Sequence, residues 1–105
     1  MDDSEKPKPL VATVGQAQLH IQLDEDVAQG IYSNLVMINH NQNEFTLDFI
    51  YVQPQQPKAK VRARIIATPR HTKRVLLALS ENLKKYEAKF GEIDLSNTSG
   101  EPVIH

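Results

Sequence analysis

The chain has no cysteine and no tryptophan among its 105 residues. Without cysteine there is no disulfide, no thiolate nucleophile, no iron–sulfur ligand and no cysteine-based zinc site. Glycine is scarce as well: four are spread along the chain, and none forms a Gly-rich loop able to cradle phosphate. No apolar run approaches the roughly 18–20 residues that span a bilayer. Neither sign of charge dominates, with 12 Lys and Arg against 13 Asp and Glu and a net charge of −1. That balance excludes a uniformly basic nucleic-acid coat and an acidic disordered tail. The opening Met-Asp-Asp-Ser-Glu-Lys-Pro-Lys-Pro lacks the apolar centre of a secretory signal. The expectation is a soluble cytoplasmic protein with one small domain, because this length does not hold two independent cores.

Composition shifts mark the domain limits. Residues 1–9 are charged and contain proline, which predicts a disordered arm. Residues 94–105 include Ser-Asn-Thr-Ser-Gly-Glu-Pro and read as a flexible C-terminal tail, in which Val103 and Ile104 are the last apolar pair. The folded part is expected over 10–93.

Within it, Leu19, Ile21 and Leu23 alternate with His20, Gln22 and Asp24, the period of a strand with one wet face. Asp24 to Gly30 is read as a connection, with Gly30 free to take a backbone conformation closed to other residues. Three further strands are predicted at 31–39, 44–52 and 58–66. They are separated by the polar turn His40-Asn41-Gln42-Asn43 and by Gln53-Pro54-Gln55-Gln56-Pro57. A turn symmetric about Gln55 sets Asp48 opposite Arg62 and Phe49 opposite Val61. Thr68-Pro69 is a helix start and Gly91 a helix stop. Between them Val75, Leu76, Leu79, Leu83, Tyr86 and Phe90 form an apolar stripe, with Leu77 on another side. The predicted class is α+β: an antiparallel meander of about four strands followed by one long amphipathic helix packed on it.

Charge is segregated along the chain. From Lys58 to Lys89 there are ten basic residues and two acidic ones, Glu81 and Glu87. Lys58, Lys60, Arg62 and Arg64 alternate, so an unbroken strand sets them on one face. With Lys73 and Arg74 at the helix start they form a candidate nucleic-acid-binding set. The plainer alternative is cross-strand pairing with Asp48 and Glu44 on a solvated edge.

Evidence for chemistry is thin. His20, His40, His71 and His105 have no metal-ligand spacing, and no serine has a Gly-x-Ser-x-Gly setting. No catalytic residue, metal or cofactor is expected, and the protein is read as a non-enzyme.

More informative is the sheet face that a single helix cannot cover. The symmetric register sends Tyr32, Val36, Ile38, Ile50, Val52 and Ile66 there. Together with Leu77 they predict an interface, hence a homo-oligomer. Asn34, Asn39 and His40 are unusual in strands. They predict either a polar contact site at one end of the sheet or hydrogen bonds that pin strand ends.

Several segments carry a resemblance: Gly30-Ile31-Tyr32-Ser33-Asn34, Ile38-Asn39-His40, Glu44-Phe45-Thr46-Leu47-Asp48-Phe49, Val61-Arg62-Ala63-Arg64-Ile65-Ile66 and Tyr86-Glu87-Ala88-Lys89-Phe90-Gly91. They resemble a family of short bacterial and archaeal proteins of unknown function, which implies domain limits near 19–93 and no particular activity. The meander-plus-helix layout is also similar to that of the export chaperone SecB. That likeness, of topology alone, implies a binder of extended chains. The expected function is therefore a non-catalytic oligomeric binding protein, chaperone- or adaptor-like. The alternative is a nucleic-acid-associated protein using the basic strand and helix start.

Overall fold

A computed structural model describes residues 10–96. The arm expected over 1–9 and the tail from residue 97, including Val103 and Ile104, lie outside the described residues. The elements run β1 (Leu10–Val14), β2 (Ala17–Ile21), α1 (Glu25–Ala28), β3 (Leu35–His40), β4 (Phe45–Val52), β5 (Ala59–Ala67) and α2 (Pro69–Phe90). The class is α+β, with antiparallel strands in two sheets followed by one long helix. The strands divide as a two-stranded hairpin and a three-stranded meander, where a single meander of about four was expected. The chain falls into two compact units that divide between Tyr32 and Ser33.

In the first unit, β1 pairs antiparallel with β2, with Leu10 opposite Ile21 and Val14 opposite Ala17. Two residues, Gly15 and Gln16, close the hairpin. Gly15 has φ +60°, the positive value that the first central residue of a two-residue hairpin turn requires. The register puts Leu10, Ala12, Val14, Ala17, Leu19 and Ile21 on one face. The sequence reading missed β1, because Leu10–Val14 is a nearly continuous apolar run without alternation. The stretch read as a plain connection holds one helical turn, in which the Asp24 carbonyl accepts from the N–H groups of Val27 and Ala28.

The second unit is β3-β4-β5 in sequence order, followed by α2. β4 is central, and its β-branched and aromatic residues suit that position. At the β3–β4 turn, the Asn41 side-chain oxygen accepts from the N–H groups of Asn43 (2.8 Å) and Glu44 (2.9 Å). This Asx arrangement explains the run of asparagines in mechanical terms.

The β4–β5 register differs from the symmetric one. Asp48 lies opposite Arg64 and Phe49 opposite Ala63, but Ile50 lies opposite Val61. Arg62 is the extra residue of a β-bulge. A bulge reverses the alternation of faces beyond it. Arg64 therefore shares a face with Asp48 and Ile50, while Lys60 lies across from Tyr51 on the other. Lys58, Lys60, Arg62 and Arg64 do not form one row. The turn is offset as well: Val52 lies opposite Ala59, where symmetry about Gln55 sets Tyr51 opposite Ala59.

Pairing of β3 corrects a second expectation. Leu35 lies opposite Ile50, Val36 opposite Phe49 and Ile38 opposite Leu47. Val36 and Ile38 thus share a face with Phe45, Leu47, Phe49 and Tyr51. Ile50, Val52 and Ile66 belong to the opposite face, with Leu35, Met37 and Asp48.

Helix α2 begins and ends where its signals stand. The Thr68 hydroxyl accepts from the His71 N–H (3.1 Å), Pro69 opens the first turn, and Gly91 closes the helix with φ +100°. Its packing is not as expected. Extensive contacts between elements occur between paired strands, and no residue of α2 is buried. A helical stripe specifies that a face is apolar, and not which surface covers it.

Candidate binding surface

Among the described residues, Ile50 is the one buried hydrophobic side chain (6% exposed) and Asp48 the one buried charged side chain (7%). They are two residues apart on β4 and so on the same face. Arg64 holds Asp48 through two hydrogen bonds, donating from Nε to Oδ1 at 2.7 Å and from Nη2 to Oδ2 at 2.9 Å. Such a bidentate pair is short because both partners are ionised. The hydrogen bond from Arg64 holds the Asp48 carboxyl below the usual carboxylate range, against an upward push from its desolvation. The same contact raises the Arg64 guanidinium. Arg64 remains largely exposed along its side chain while Asp48 is nearly buried. Its partnership with Asp48 accounts for one of the cations read as a phosphate contact.

Ser33 and Asn34 are structural. The Ser33 hydroxyl lies 3.0 Å from the carbonyls of both Leu35 and Ile50. Asn34 donates from Nδ2 to the Val52 carbonyl at 3.0 Å, and its Oδ1 accepts from the Val52 N–H at 2.8 Å. Its backbone N–H also donates to the Ile50 carbonyl (3.0 Å). A side-chain amide thus continues the β3–β4 ladder one step beyond β3. This geometry matches the strand-pinning reading of Asn34. His40 stacks on Phe45 with ring centroids 5.2 Å apart, across the last pair of the same ladder.

An open depression of about 670 Å³ is lined by Tyr51, Gln53, Pro57, Lys58, Ala59, Lys60 and Arg62. The register beside the turn sets Lys60 across from Tyr51, and three cations and an aromatic ring border one hollow. Lys73 and Arg74, the helix-start members of the expected basic set, lie in the first turns of α2 and are not part of this lining. Among the described residues, no group of three or more His, Asp or Glu is placed to hold a metal ion.

The expected interface residues are distributed as follows. Val36 and Ile38 are exposed on the Phe49 face, and Ile66 is exposed on the Ile50 face. Ile50 is covered within the chain, and Val52 is half-buried. Leu77 is exposed on α2, and Tyr32 is exposed in the first unit. Expected as one patch, they occupy several surfaces. The larger apolar surface was undervalued by sequence reasoning: Leu76, Leu79, Leu83, Tyr86 and Phe90 are 42–65% exposed along one side of α2. Their spacing was visible, but it was assigned to packing on the sheet.

The surfaces thus define a small α+β chain with apolar faces open along its helix and sheet. Residues 1–95 match the family described as protein of unknown function (DUF3467), and the chain belongs to that family. No curated protein and no solved structure matches it. No helix among the described residues is long and apolar enough to cross a membrane.

Proposed function

We propose that this protein is a non-catalytic, self-associating binding protein, chaperone- or adaptor-like, that works through apolar surface. One observation carries the reading: Val36, Ile38, Ile65, Leu76, Leu79 and Phe90 stand open to solvent in a single copy, while Ile50 alone among described hydrophobic residues is buried. Exposed apolar surface on this scale is costly to leave in water and favours burial against another chain. The proposal includes a cytoplasmic location, resting on a composition with 24% charged residues and no apolar run of spanning length.

Light scattering coupled to size exclusion tests self-association, with an oligomer expected at micromolar concentration. Client binding is tested by the anisotropy of a labelled, permanently unfolded polypeptide. Val36→Glu and Ile38→Glu should weaken that binding while the circular dichroism of the fold persists. A folded monomer that ignores unfolded chains overturns the proposal. Ile50 is unsuitable for this test, because a charge at a buried position attacks the fold itself.

The hollow bordered by Lys58, Lys60, Arg62 and Tyr51 favours a second reading, contact with nucleic acid. Cations that follow a phosphate chain release counterions on binding, so affinity falls steeply with salt, and an aromatic ring offers a stacking platform. Anisotropy of labelled single-stranded RNA and DNA at low salt tests it. The absence of any shift ends this reading, and unaltered binding by Lys60→Glu moves the contact elsewhere.

A further inference from the structure

The apolar residues of α2 are spaced more strictly than helix amphipathicity requires. Leu76, Leu79, Leu83, Tyr86 and Phe90 follow one another at steps of three, four, three and four, and Thr72, whose hydroxyl donates to the Thr68 carbonyl at 2.8 Å, stands one step of four before them. That is the alternation of a heptad seam, whose average period of 3.5 residues lets one helix pack continuously along another. The seam runs about 27 Å at 1.5 Å per residue. Tyr86 and Phe90 already pack ring to ring at 5.0 Å on its C-terminal half, with Lys89 Nζ over the Phe90 ring at 5.3 Å.

The flanking positions distinguish the possible pairings. On one flank lie Lys73, Ser80 and Glu87, and on the other Val75, Asn82 and Lys89. The Ile93 N–H donates to Glu87 Oε2 at 2.8 Å, which holds that carboxylate at the edge of the seam. With two copies antiparallel, each flank meets its own counterpart. Lys73 then faces Glu87 of the second copy at both ends, Ser80 faces Ser80, and Asn82 faces Asn82. Along the seam Thr72 meets Phe90, Leu76 meets Tyr86 and Leu79 meets Leu83, so the smaller residue opposes the larger in the outer layers, as close packing favours. No like charges oppose each other. In a parallel pairing Lys73 and Glu87 have no opposite charge to meet, and Tyr86 and Phe90 stack on themselves.

We infer that α2 is the self-association surface of this protein, and that its occupant is α2 of a second copy, packed antiparallel about a two-fold axis. The inference rests on the self-association proposed above and specifies its geometry. The two-fold arrangement makes the contact self-complementary and closed, with each residue pairing twice.

Charge exchange in the full-length chain tests it. Lys73→Glu and Glu87→Lys are exposed or half-exposed helical changes, so circular dichroism should show both variants folded. Each replaces two attractive pairs by two repulsive ones, and self-association should weaken about tenfold by sedimentation or light scattering. Mixing the two variants in equal amounts should restore association, because a mixed pair has opposite charges at both ends. The double variant Lys73→Glu/Glu87→Lys should associate as the natural chain does. Recovery on mixing supports the antiparallel seam. Singles that associate as well as the natural chain, or a mixture that does not recover, overturn it while leaving an oligomer formed through another surface intact. A natural chain that stays monomeric overturns both this inference and the self-association on which it rests.

Discussion

The side chain of Asn34 pairs with the backbone of Val52 as a strand residue would, donating to its carbonyl at 3.0 Å and accepting from its N–H at 2.8 Å. The amide satisfies both main-chain groups of one residue at the end of the central strand. Asn34→Ala removes both bonds at once. The expected cost is about 1–3 kcal/mol, the range for leaving a polar group without a partner. Urea unfolding at fixed protein concentration measures it. Asn34→Gln should not rescue, since one added methylene displaces the amide from the ladder.

The Asp48–Arg64 pair predicts a pH dependence. The folded carboxyl titrates below its ordinary value of 3.8, so the folded state binds fewer protons than the unfolded state there. Its contribution is fully present above the ordinary value and is lost as pH falls through the lower folded value. Arg64→Met leaves a nearly buried carboxylate without its cation, so desolvation then raises its pKa. The variant should therefore be destabilised most near neutral pH, where the carboxylate is charged and unpaired, and the difference from the natural chain in urea unfolding should shrink between pH 7 and pH 3 as Asp48 is protonated.

Thr68 caps α2 by accepting the His71 N–H. Thr68→Ala should cost about 1 kcal/mol, and Thr68→Ser should retain most of the cap. Hydrogen exchange at the first turn of α2 is the sensitive readout, because loss of a cap frays the end before it unfolds the middle. Protection at Lys84 and Lys85 should be unchanged relative to the same residues in the natural chain.

Gly15 turns the first hairpin at φ +60°, and a Cβ there would meet nothing within 4 Å. A substitution therefore costs backbone conformation and not space. Gly15→Val should weaken the hairpin by about 1–2 kcal/mol, and Gly15→Asn by less, since asparagine visits the left-handed region more readily. NMR contacts between Ala12 and Leu19, which lie opposite each other, report the outcome.

Local signals in the chain were sufficient for much of this structure. Thr68-Pro69 and Gly91 bound the helix because caps are local hydrogen-bonding and dihedral requirements. β4 followed from its aromatic and β-branched content, and the polar turn at 41–43 from asparagine chemistry.

Register and partnership were decided in three dimensions. Arg62 reads as one more alternating residue, yet the pairing of Phe49 with Ala63 and of Ile50 with Val61 makes it a bulge. That insertion leaves Arg64 on the Asp48 face and Lys60 on the Tyr51 face, which divides the basic row, while the pairing of Val36 with Phe49 and of Ile38 with Leu47 divides the expected apolar patch. The stripe on α2 was plain in the sequence, but periodicity encodes only which side of an element is apolar. What covers that side depends on surfaces distant in sequence or on another chain, and the tertiary structure leaves it open on the single copy.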